Sequence, residues 1–206
     1  MIHLDINAWN KTLRAKTPDE IIEWALRLSE NRIVTTSFGL YSAVLLSSMS
    51  KFDKGIRVVW CDTLYNNATT YAHASHLIET YKLNICKYQS LMSKDDIEAT
   101  IGLPNIEANH HDVFSEVVKL EPFRRALKEQ NPEVWFTNIR VRQTAYRNKK
   151  DILSYSKNGI LKVSPFYYWS DADLDSYVEA HGLTKNVDYF DPIKALQNRE
   201  CGIHLQ

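Results

Sequence analysis

One thiol stands apart from the other cysteines of this chain. Cys201 sits in Arg199-Glu200-Cys201-Gly202-Ile203-His204, a polar segment with no periodic apolar partners. The reactive form of a thiol is the thiolate, which Arg199 and a protonated His204 favour and Glu200 opposes. Local chemistry leaves two readings, a catalytic or redox thiol with His204 beside it, or an incidental cysteine on a frayed end. Cys61 and Cys86 lie in or at the end of apolar, β-rich runs, where a cysteine packs as a small hydrophobe.

Two stretches have the composition of phosphate-binding loops. Thr35-Thr36-Ser37-Phe38-Gly39 offers three hydroxyls and a glycine after one β-rich run, and Asp62-Thr63 holds the corresponding place after a second. Loops of this kind lead into helix N-termini whose free N–H groups suit phosphate. Neither is GxGxxG or GxxxxGK[ST], so ordinary strand-to-helix connections are the competing reading. Residues 119–150 carry nine basic side chains, among them Lys119, Arg140 and Arg147, against three acidic ones. That surplus suits a polyanion, either a charged nucleotide or a nucleic-acid backbone, and equally a solvated helix face followed by a basic loop. His73, His76 and Glu79 recur at helical spacing and read as an exposed polar helix face rather than a metal site. Three scattered cysteines without a CxxC cannot supply the four thiolates of an iron–sulfur cluster, so no metal is expected.

The elements that must position these groups alternate. Thr17 with Glu20 forms a capping-box pattern and Pro18 suits a first helical position, predicting a helix over 17–30. A strand at 32–36, a turn at 37–39 and a helix over 40–50 follow. Next come a strand at 55–60, a polar loop at 61–67 and a helix over 70–82. Further strands are expected at 85–88 and 134–139, with helices near 110–119 and 122–130 between them. Asn158-Gly159 predicts a hairpin at the far edge of the sheet. Ser170 with Asp173 caps a helix ending at His181-Gly182, and a polar tail over 183–206 carries Cys201. This order predicts an α/β fold, a mostly parallel twisted sheet with helices on both faces and a mobile C-terminal tail.

The chain has 206 residues, 44% hydrophobic and 24% charged with zero net charge, values ordinary for one domain with a full core. It contains no apolar run of about eighteen residues and begins without the features of a secretion signal, so a cytoplasmic protein with no membrane partner is expected.

Taken in order, these segments resemble the phosphoadenylyl-sulfate (PAPS) reductase family, a branch of the adenine-nucleotide α-hydrolase-like fold. Glu200-Cys201-Gly202-Ile203-His204 resembles its terminal ECG[IL]H signature, the most specific match. Residues 35–39 are similar to its Ser-Ser-Phe-Gly loop, and Cys61-Asp62-Thr63-Leu64-Tyr65 to its Thr-Asp-Thr-Gly-Tyr strand end. Lys119-Leu120-Glu121-Pro122 resembles its Lys-Val-Glu-Pro stretch, residues 135–147 its arginine-bearing loop, and residues 159–169 its hairpin. The likeness runs from about Ile33 to His204. It departs at Leu64, which replaces glycine, at Asn66-Asn67-Ala68-Thr69 and Val141-Arg142, and in a shorter linker between Gly182 and Cys201.

The resemblance implies that Cys201 attacks the sulfonyl sulfur, expels adenosine 3',5'-bisphosphate and carries a Cys-S-sulfonate. A thiol of thioredoxin or glutaredoxin then resolves this intermediate and releases sulfite, a step of sulfate assimilation and cysteine biosynthesis without flavin or metal. It further implies that Thr35, Thr36, Ser37, Phe38 and Gly39 hold phosphate, Asp62 and Thr63 the adenosine side, and Lys119, Arg140 and Arg147 the sulfate and phosphates. A homodimer is the assembly that the family implies. Two rivals remain, an adenylyl-sulfate (APS) reductase, whose paired cluster cysteines are missing here, and a degenerate protein that binds only nucleotide or nucleic acid.

Overall fold

Each central strand carries apolar side chains on both of its sides. In β1 (Arg32–Thr36) Ile33 belongs to one buried cluster and Val34 to another; in β2 (Arg57–Cys61) Val59 and Val58 divide in the same way, and in β4 (Val134–Phe136) Trp135 and Phe136 do. A strand buried on both faces must lie inside a layered sheet, which is where parallel strands are found. The computed structural model, which describes residues 2–103, 110–191 and 193, shows a six-stranded sheet in the order β3-β2-β1-β4-β6-β5. All neighbouring pairs are parallel except β5 (Leu153–Tyr155) with β6 (Leu161–Val163), the antiparallel hairpin expected at Asn158-Gly159. β3 spans Asn84–Tyr88.

The helices α2 (Pro18–Leu26), α3 (Ser42–Phe52), α4 (Ala68–Tyr81) and α8 (Asp171–Ala180) supply Ile22, Leu45, Leu77 and Leu174 to the larger cluster, while α7 (Glu121–Gln130) covers the other face through Phe123, Ala126 and Leu127. The mostly parallel α/β sheet with helices on both faces is therefore present. Both capping boxes read from the sequence form, Thr17 with Glu20 and Ser170 with Asp173, and Gly182 takes the left-handed conformation at φ +59°.

Several boundaries differ from expectation. The helix expected over 17–30 stops at Leu26 because the Arg32 guanidinium donates to the carbonyls of Leu26 and Ser29, taking the terminal acceptors that another turn would use. The strand expected over 134–139 ends at Phe136, and Asn138 turns away to donate to the Tyr41 carbonyl. Two short helices have no counterpart in the periodicity, α1 (Ile6–Leu13) and α5 (Lys94–Thr100). α1 carries a buried Asn10 that exchanges two hydrogen bonds with the Leu153 backbone, so a polar residue breaks the apolar stripe while it covers the sheet's edge strand.

The helices expected near 110–119 and 122–130 form one rod, α6 (His111–Ser115), a π-helical turn at Glu116–Leu120, and α7. Pro122 is the cause we assign. It has no N–H for the carbonyl four residues back and its ring needs room there, so the helix widens and the Glu121 N–H reaches the Glu116 carbonyl instead. The wide turn holds Lys119.

Candidate active site

The strand order reverses between β1 and β4, and in such sheets the ligand crevice lies beyond the carboxyl ends of the strands at that point. A cavity of about 290 Å³ opens there. Thr35, Thr36, Ser37 and Gly39 line it from the loop after β1, Asn138, Ile139, Arg140, Gln143 and Arg147 from the chain after β4, and Lys119 from the π-helical turn.

The loop after β1 is bent by Phe38, which sits in the left-handed region at φ +51° with its ring buried edge-on against Trp60 at 4.9 Å. A bulky residue there costs on the order of 1–2 kcal/mol, strain of the kind that clusters at ligand sites. The Phe38 N–H donates to Thr36 Oγ1 at 3.0 Å, and the Trp135 indole donates to Thr35 Oγ1 at 2.8 Å, which orients both hydroxyls.

Lys119 and Arg147 are both buried cations on the cavity wall. Lys119 pairs with the equally buried Asp191. Gln143 clasps both arginines, its Oε1 accepting from the Arg140 backbone N–H at 2.9 Å and from the Arg147 guanidinium. Arg140 is held differently from Arg147: it pairs with Asp171 and lies 5.1 Å from the Tyr41 ring centre. Burial, with the hydrogen bond that it donates to Asp175, pushes the Tyr41 phenol up to about 12, so it stays protonated as a donor. Asn138 leaves its Oδ1 buried without a partner, an acceptor that a ligand N–H or O–H would satisfy.

Not every residue read from the sequence reaches the cavity. Phe38 is buried in the core behind the loop, and Asp62 and Thr63 are buried beside it rather than on its wall. Asp62 accepts hydrogen bonds from the Leu64 N–H, Asn66, Tyr71 and Gln89, and pairs with Lys87 at 2.9 Å. Burial alone would raise its pKa; the bonds from Lys87, Tyr71, Leu64 and Gln89 outweigh it and hold the carboxyl below its ordinary value. A depressed carboxylate contributes stability that is present above its unfolded pKa, about 3.9, and is lost as pH falls through the folded pKa. Asp62→Asn is therefore expected to lose about 3 kcal/mol at pH 7, and less as the pH is lowered below about 4, as urea unfolding at the two pH values would measure. Leu64, where the resembled family has glycine, takes φ +70°, so this turn keeps the glycine-type backbone with a side chain that resists it.

Cys61 and Cys86, expected as buried hydrophobes, pack against the cluster that contains Val59, each only half buried, and Cys61 also lines the cavity. His73, expected on an exposed face, is buried against Ser42 of α3, while His76 and Glu79 stay exposed. The segment read as the start of the C-terminal tail is seated on the site. Tyr189 and Asp191 line the cavity, and Asn186 donates to the Phe38 carbonyl and to Thr70 Oγ1, both at 2.9 Å. Cys201 and His204 lie outside the described residues.

With this geometry in hand, the chain matches the model of the phosphoadenosine phosphosulfate reductase domain over residues 31–191. It is 32% identical to a phosphoadenosine 5'-phosphosulfate reductase of Synechococcus sp., covering 84% of this chain and 76% of that one. A protein of the same name from Xanthomonas oryzae pv. oryzae is 35% identical, with 87% and 75% covered. Among solved structures, the phosphate complex of PAPS reductase from Candida auris superposes with a TM-score of 0.78 at 26% identity, covering 90% of this chain and 91% of that one.

Proposed function

Since this chain belongs to the PAPS reductase family, we propose that it reduces PAPS to sulfite and adenosine 3',5'-bisphosphate through a Cys-S-sulfonate on Cys201. The enzyme is an oxidoreductase of sulfate assimilation. The observation that carries the reading is the pair of buried cations, Lys119 and Arg147, facing the hydroxyl-bearing Thr35-Thr36-Ser37 loop across one cavity. Lys119 already shares its charge with Asp191, and a doubly phosphorylated nucleotide carrying a sulfonyl group presents several anionic oxygens at once to the two cations.

In the reaction, the loop hydroxyls and Gly39 hold phosphate while Lys119 and Arg147 neutralise charge that grows on the leaving phosphate as the S–O bond breaks. Asp62 and Thr63 act from behind the wall, fixing the turn after β2 on the adenosine side. Arg140, partly neutralised by Asp171, serves the outer edge of the ligand. The Cys201 thiolate attacks sulfur, with His204 favouring the thiolate, and adenosine 3',5'-bisphosphate leaves. A thioredoxin or glutaredoxin thiolate then attacks Cys201 Sγ, sulfite leaves, and a mixed disulfide passes to the reductant's second thiol. This chemistry needs no resident metal or flavin. No helix among the described residues is long and apolar enough to cross a membrane; a cytoplasmic homodimer is the setting we propose.

Sulfite release from PAPS and from APS, each with and without reduced thioredoxin, tests the reading. Multiple turnovers are expected only with PAPS and thioredoxin together. Turnover of APS alone would move the chain to the rival substrate, and no turnover of either would favour a protein that only binds nucleotide.

A further inference from the structure

The residue that faces Lys119 is itself an anion. Lys119 and Asp191 are 4% and 7% exposed, form an ion pair, and line the same cavity. An ionised carboxylate at this point repels an anionic ligand at close range, where little water screens it. Substrate anions and the Asp191 carboxylate therefore compete for one ammonium group.

Asp191 is also the last of a series of pins. Along 183–191, Asn186 is buried and fastened to the Phe38 carbonyl, the Asp188 carbonyl accepts from Asn67 at 2.7 Å, and the Tyr189 ring packs on Gly39 so closely that a β-carbon there would stand 3.2 Å from it. Val187 and Phe190, between the pins, are exposed. Asp191 Oδ1 also accepts from the Ile193 N–H at 3.1 Å, so the same side chain ties down the start of the run toward Cys201. Two of the pins rest on the loop that would receive phosphate and a third on Lys119.

We propose that Asp191 is an internal stand-in for the substrate anion: its carboxylate latches the segment 183–191 onto Lys119, and an arriving anion displaces it and releases that segment. The identity of the anion rests on the functional reading above; the latch rests on the ion pair and the pins. Binding and presentation of the Cys201-bearing residues are thereby coupled, because the segment that precedes them loosens only when an anion occupies Lys119.

Hydrogen exchange over 183–191 tests this in the wild-type protein, alone, with adenosine 3',5'-bisphosphate, and with inorganic sulfate. Exchange is expected to quicken with either ligand. Asp191→Asn should exchange fast from the start and bind the bisphosphate about tenfold tighter, since the competing charge is gone. Lys119→Met should also free the segment yet lose affinity, so two variants that break one ion pair diverge in binding. If the wild-type segment slows on anion binding, or Asp191→Asn binds more weakly, Asp191 is a brace for Lys119 and the latch is wrong. Release by sulfate without binding of the bisphosphate would uphold the latch and sink the nucleotide reading; bisphosphate binding without release would do the reverse, and binding of neither would remove both. The wild-type measurement requires no substitution, so a variant that fails to fold does not decide the matter.

Discussion

Cys201→Ser protein is expected to bind PAPS with unchanged affinity and to release sulfite at least about a thousandfold more slowly than the wild type. A serine hydroxyl is neutral at pH 7 and a far poorer nucleophile than a cysteine thiolate unless a base activates it. The proposed function assigns the phosphate and sulfate contacts to Lys119, Arg147 and the loop over residues 35–39, so binding should survive. Isothermal titration with PAPS and a sulfite assay on the same preparation separate the two. Cys61→Ser bears on the choice of thiol, because Cys61 lines the cavity: it should retain most of its activity, and loss there with activity preserved in Cys201→Ser would reverse the assignment.

Arg147→Ala is expected to weaken PAPS binding by on the order of a hundredfold, with Arg147→Lys recovering only a part, because a planar guanidinium can meet two phosphate oxygens where an ammonium meets one. The Arg147 carbonyl that accepts from Tyr167 at 2.7 Å is kept in this variant, and circular dichroism on it separates lost binding from lost fold. Arg140→Ala should cost less, by about tenfold, because Arg140 is less buried than Arg147 and water screens more of its charge. Equal losses at the two positions would mean that the partition of roles is wrong. A fall in affinity for single-stranded DNA instead of PAPS would restore the nucleic-acid reading of the basic segment.

How much of this was legible beforehand depends on the range of the interaction. Hydroxyl loops at strand ends, capping boxes and the Asn158-Gly159 hairpin are written in a few adjacent residues, and all were readable. Alternation of elements predicts the parallel sheet but not its strand order, and it is the switch between β1 and β4 that puts Thr35 and Arg147 on one cavity although they are far apart in the chain. What could not be read was how distant polar groups satisfy one another. Asn186 on the Phe38 carbonyl and Asp191 on Lys119 show no periodicity, because each is set by a partner from another part of the chain. The role of Asp62 shifted for a similar reason. The residue type was consistent with ligand contact, but Lys87, Tyr71 and Gln89 had already claimed its oxygens. The π-helical turn had a local signal in Pro122, directly before Phe123, yet a proline there also reads as an ordinary helix start.

The covalent step is the centre of the account, and one mass measurement reaches it directly. Incubated with PAPS and no thiol donor, the wild-type protein should gain the mass of one sulfonate group on the peptide containing Cys201, and reduced thioredoxin should remove that mass while releasing one sulfite per adduct. An adduct on Cys61 or Cys86, or sulfite produced with no adduct on any cysteine, would contradict it.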